Sequence, residues 1–65
     1  MDWRERIVVD PEILGGKPVI RGTRISVELV IELLARGYLK EQILEQYDCI
    51  TSEDIEASVI YASQV

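Results

Sequence analysis

The chain has no histidine, no phenylalanine, a single cysteine and no long apolar run among its 65 residues. Each shortage removes a class of function. Cys49 alone cannot close an intramolecular disulfide, and without histidine or a second thiol a structural zinc site is excluded. The usual base for a serine or cysteine nucleophile is also missing, and the acids are scattered along helical segments, so neither an enzyme nor a cofactor site is expected. No segment approaches the roughly 18 uncharged apolar residues of a membrane span, and no basic start leads into an apolar stretch. A cytoplasmic protein without a membrane anchor is therefore expected.

What is present is a globular balance. Hydrophobic residues make up 48% of the chain and charged ones 29%, too apolar for a disordered segment. Residues 1–65 are long enough for one domain. A chain of this size buries only about 60% of the surface its unfolded form exposes, which leaves it short of core and favours a partner or a second copy. The net charge of −5 is unevenly placed. Residues 1–27 hold five cations (Arg4, Arg6, Lys17, Arg21, Arg24) and four acids, whereas residues 28–65 hold two cations and eight acids. Any patch that attracts phosphate therefore belongs to the first third of the chain.

The chain divides near Ser26 into a β-prone segment, 1–26, and a three-helix segment, 27–65. Ile7-Val8-Val9 is a β-branched run stopped by Asp10-Pro11, and Gly15-Gly16-Lys17-Pro18 cannot be helical. Gly22-Thr23 suits a two-residue type II′ hairpin turn, which would place Ile20 opposite Ile25 and Arg21 opposite Arg24. Ser26 is a good N-cap and Gly37 a good stop for a first helix over Val27–Arg36, apolar around most of its circumference. Leu39, Ile43 and Tyr47 repeat at helical spacing and predict a second helix over Lys40–Tyr47. Thr51 to Asp54 resembles a capping box and opens a third helix over Ser52–Ala62.

Four local features need a reading of their own. Gly15-Gly16-Lys17 is a tight turn and not a phosphate loop, because Pro11 stands where that motif's first glycine belongs and Pro18 follows the lysine. Helices two and three have helix-turn-helix spacing, but Glu53, Asp54 and Glu56 would confront the phosphates of a DNA groove. Cys49 reads as a small packed hydrophobe, and Trp3, with no evident home in the core, as an interface anchor or a frayed end.

At Asp10-Pro11, Gly15-Gly16-Lys17-Pro18-Val19-Ile20, Gly22-Thr23-Arg24-Ile25, Gly37-Tyr38 and Ile55…Ala57…Tyr61-Ala62, the sequence resembles the prokaryotic domain-of-unknown-function family four hundred and thirty-three. The resemblance implies a mainly α fold, a three-helix homeodomain-like or winged-helix-like bundle with a short N-terminal β-hairpin. It also implies an antitoxin of the VapB type in a toxin–antitoxin system, which binds and inhibits a PIN-like ribonuclease toxin and binds its own operator DNA. Leu39 departs from the family's usual serine or threonine cap, and Asp48 from its frequent proline.

The residues expected to bind a partner or nucleic acid are Arg4, Arg6, Lys17, Arg21, Gly22, Thr23 and Arg24. In the type II′ register Arg21 and Arg24 would lie about 5 Å apart at Cβ, where like charges destabilise a hairpin. They should then either pair with acids such as Asp10 and Glu12 or engage an external anion, and Gly22 would let that anion come close. A homodimer is expected, since helix one has more apolar surface than two neighbours cover and Ile7-Val8-Val9 leaves an edge to pair. The rival readings are a stand-alone helix-turn-helix transcriptional regulator and a protein-interaction module that touches no nucleic acid.

Overall fold

In the computed structural model, which describes residues 2–64, the chain begins at a cap. The Asp2 carboxylate accepts the Arg4 N–H at 3.0 Å and starts a 3₁₀ turn over Trp3–Glu5. Strand β1 (Ile7–Val9) follows and pairs antiparallel with β2 (Pro18–Ile20), with Ile7 opposite Ile20 and Val9 opposite Pro18. Proline suits that last position because it has no N–H to give the ladder. In the connection over residues 10–17, Asp10 Oδ1 accepts the Glu12 N–H at 2.9 Å. The turn at Leu14–Gly16 then runs through three left-handed residues, at φ 49°, 66° and 89°. Glycine adopts that conformation freely, whereas Leu14 has to be held there at a cost of about 1 kcal/mol.

The second turn forms differently from its sequence reading. The expected register is present, since the Ile20 N–H donates to the Ile25 carbonyl at 2.9 Å and Val19 bridges Ser26. The type II′ turn at Gly22-Thr23 is not. Thr23 N–H donates to the Ile20 carbonyl at 3.0 Å and Gly22 stands at φ 80°, so Arg21 and Gly22 are the central residues of a type II turn. The cause lies in Thr23, whose hydroxyl donates to the Ile20 carbonyl at 2.8 Å and accepts the Ile25 N–H at 3.0 Å. Those bonds close the ladder before Arg21 and Arg24 can face each other. The Arg21 N–H donates instead to the Arg6 carbonyl at 2.7 Å, which prolongs the pairing with β1.

Helix α1 (Val27–Ala35) is capped by Ser26, whose hydroxyl accepts the Leu29 N–H at 3.0 Å. It ends in a Schellman motif: Gly37, at φ 93°, donates to the Leu34 carbonyl and Tyr38 to that of Leu33. Helix α2 (Lys40–Gln46) starts at Leu39, which has no acceptor to offer; Gln42 Oε1 nevertheless accepts the Leu39 N–H at 2.8 Å, half of a capping box. Helix α3 (Ser52–Ser63) has both halves: Asp54 N–H donates to Thr51 Oγ1 at 3.3 Å and Thr51 N–H to Asp54 Oδ2 at 2.9 Å.

The result is a three-helix bundle with the two-stranded hairpin laid on it. Helix α3 packs on α1, on β1 and on the N-terminal turn, while α1 covers β2. Ile7, Ile20, Val30, Leu33, Ile43, Ile50 and Ile55 meet in the core. Two readings made from sequence are corrected here. Cys49 is exposed, because the turn after α2 sends Ile50 inward in its place. Trp3 is neither frayed nor wholly outside: its ring lies 5.0 Å from that of Tyr61, and its indole N–H donates to Gln64 Oε1 at 3.0 Å.

Candidate functional site

The type II turn and the N-terminal turn bring most of the expected binding residues to one end of the molecule, but they leave few of them unoccupied. Arg21 is anchored by the backbone: its Nε donates to the Glu5 carbonyl at 2.8 Å and Nη2 to that of Arg4 at 3.4 Å. Arg6 Nη1 lies 3.1 Å from Asp54 Oδ1, and with 36% of its side chain exposed against 11% for the aspartate this pair is partly desolvated. Glu5, Arg6, Arg21 and Asp54 together line a polar cleft of about 290 Å³. Arg4 reaches Asp2 at 3.5 Å and lies 5.4 Å from the Trp3 ring centre. Lys17 stands apart, beyond the far end of β2 from Arg21 by roughly 13 Å of extended chain, beside Glu28 at 3.7 Å.

Arg24 differs from all of these. Among the described residues it is the one cation with neither an ion-pair partner nor a hydrogen bond from its side chain. It is exposed, and the backbone that carries it is fixed by both Thr23 hydroxyl bonds. Neither Arg21 nor Arg24 pairs with Asp10 or Glu12. The turn therefore presents one open guanidinium on a fixed base beside the side-chain-free surface of Gly22. Such a fork can take a carboxylate or a phosphate bidentately.

The start of α3, where a helix-turn-helix would meet DNA, is arranged otherwise. Asp54 is buried, with one carboxylate oxygen in the capping box and the other on Arg6. Glu56 is held by Lys40 at 3.2 Å and Glu53 is exposed. The turn is acidic, and its most buried acid is structural. The capping role of Asp54 is legible in the sequence, but its pairing with Arg6 is not, though one signal was available: a capping-box carboxylate facing a core needs a cation for its second oxygen, and Arg6 adjoins the inward-facing Ile7. No group of three or more His, Cys, Asp or Glu side chains that could hold a metal is found among the described residues.

Comparison with known proteins gives a consistent picture. A family model described as a protein of unknown function, DUF433, matches residues 7–62. An uncharacterized protein of Sinorhizobium fredii, y4eO, is 42% identical over 59 residues, which cover 91% of this chain and 27% of that protein. An uncharacterized protein of Archaeoglobus fulgidus is 52% identical over 29 residues, 45% of this chain and 81% of that one. The crystal structure of a DUF433 member protein from Anabaena variabilis superposes with a TM-score of 0.86 at 32% identity, covering 91% of this chain and 58% of that one. The chain thus spans about a quarter of the Sinorhizobium relative and somewhat over half of the Anabaena one.

Proposed function

The chain belongs to the DUF433 family, and from that premise we propose that it is a non-enzymatic, antitoxin-like binding module whose partner is a PIN-like ribonuclease. The observation that carries the reading is Arg24, an unoccupied guanidinium on a fixed turn in a chain whose other described cations are already engaged. A metal-dependent nuclease of the PIN-like kind gathers carboxylates around its ion. A guanidinium fork entering that cluster satisfies the same oxygens through charge-assisted hydrogen bonds and stops hydrolysis by occupying the metal's place. The antitoxin performs no chemistry in this scheme.

Groove reading by α3 is not part of the proposal. Glu53 and Glu56 would set carboxylates against DNA phosphates, and Asp54 is committed to Arg6 and to the helix cap. Operator contact, on this reading, runs through the cation-bearing end formed by Arg4, Arg21 and Arg24. The test begins with the neighbouring reading frame, which the proposal requires to encode a PIN-like nuclease, and then measures inhibition of that nuclease by the wild type and by Arg24→Ala, Arg24→Lys and Arg21→Ala. Arg24→Ala is expected to lose inhibition by at least about tenfold with an unchanged melt, and lysine to restore little, since it lacks the planar fork. Full inhibition by Arg24→Ala overturns the proposal.

A further inference from the structure

Helix α1 and helix α3 run antiparallel, and the seam between them is apolar on its outer side at both ends. At one end Leu34, Ile55, Val59 and Ile60 line an open groove of about 580 Å³. At the other, Ile31 and Ala62 belong to a second groove of about 320 Å³. Val59 is 45% exposed, Ile31, Leu34 and Ile60 are half-buried, and Ala35 is exposed beside them. These residues form a two-helix face that no other described residue covers.

We infer that this face is where a second copy of the chain docks. Charge selects that occupant. The protein carries −5, so two copies repel wherever unpaired acids meet. The acids bordering this face are already neutralised within the chain: Glu28 by Lys17 at 3.7 Å, Glu32 by Arg36 at 2.9 Å and Glu56 by Lys40 at 3.2 Å. The acids of the helical half that have no such partner among the described residues are Glu41, Glu45, Asp48 and Glu53, on α2, the turn after it and the start of α3. A strongly basic or acidic partner would find no net charge to complement here, whereas an identical copy finds an apolar centre inside a neutral rim.

Size sets the strength of the contact. The low end of specific interfaces buries about 600 Å² per partner, about one seventh of the 4340 Å² this chain exposes. Two adjacent helices, the longer of 12 residues, project roughly 18 by 20 Å, about 360 Å², so the dimer belongs to the small, weak class of interfaces. The interface is isologous, each copy contributing the same α1–α3 surface.

The experiment is sedimentation equilibrium on the full chain from about 1 to 200 µM, with helical circular dichroism as the control for folding. The wild type should sediment at twice 7.4 kDa, and its dissociation constant should change less than about threefold between 0.05 and 0.5 M salt. Val59→Glu, at an exposed helical position, should keep its helicity and raise the dissociation constant at least about 100-fold. Cys49→Glu, at an exposed position in the turn after α2 that lines neither groove, should remain dimeric. A monomeric wild type across the range overturns the inference, as does a Val59→Glu variant that still dimerises. A monomeric wild type whose capture by the nuclease is abolished by Val59→Glu also overturns it and assigns the face to that protein. The arginine-turn proposal is read by Arg24→Ala and stands or falls separately.

Discussion

Removing the Asp54 carboxylate is expected to bring this fold close to its stability limit. Three contributions disappear together in Asp54→Ala. The capping-box bond to the Thr51 N–H, at 2.9 Å, is worth about 1 kcal/mol. The bond from Arg6 at 3.1 Å is a charged one, worth about 1.5–3 kcal/mol in general and nearer the lower figure here, because 36% of the arginine side chain still reaches water. A negative charge in the first turn of α3 adds about 0.5 kcal/mol through the helix dipole. The sum is about 3 kcal/mol, against a total of about 3–10 kcal/mol for a domain this small. Asp54→Asn should cost about half as much, since the amide oxygen can still accept from Thr51. Arg6→Ala should cost about 1.5 kcal/mol. The assay is urea unfolding at fixed protein concentration for both single alanine variants and the double, read as a double-mutant cycle. A coupling of about 1 kcal/mol is expected. If the two losses add to within about 0.3 kcal/mol, the pair contributes nothing and Arg6 is available for binding after all.

Gly22→Ala should lower stability by about 1 kcal/mol although its added methyl group would touch nothing, because the cost lies in a backbone at φ 80°; thermal melts check this. Leu14→Asn should raise the melting temperature, as asparagine tolerates φ 49° better than leucine does. Ser58→Ala, despite complete burial, should change unfolding free energy by less than about 0.5 kcal/mol: the lost hydroxyl only donates to the Asp54 carbonyl, and no donor is left stranded. Ile43→Ala should lower the unfolding free energy by about 2–5 kcal/mol, the usual cost of truncating a fully buried isoleucine, as read by urea unfolding followed by circular dichroism.

The helices were legible because each boundary is written locally. Ser26, Thr51 with Asp54, and Gly37 all act at the positions where their side chains, or the lack of one, predict a start or a stop. The register of Ile20 on Ile25 was also readable, from the place of Gly22-Thr23 between the two runs, although the turn type read there was not the one formed. What escaped has two sources. The Thr23 hydroxyl, bonded to Ile20 and Ile25, selects a type II turn where Gly22-Thr23 as a pair suggests type II′. Trp3 finds Tyr61 and Gln64 at the other end of the chain, a contact that leaves no mark in a window of ten residues. The candidate site was legible as a list of cations but not as a ranking. Arg6 and Arg21 look like Arg24 until Asp54 and the Glu5 carbonyl are placed beside them.

The hydrogen bond between Trp3 and Gln64 closes the polypeptide almost into a ring. A unit whose entry and exit points lie side by side can be spliced into a surface loop of a host protein without forcing the host's flanking segments apart. It can equally be reopened elsewhere. Joining residues 3 and 64 through a short linker and cutting the loop at Gly15-Gly16 would keep both ladders and all three helices, so the order in which the elements are translated is separable from the shape they form.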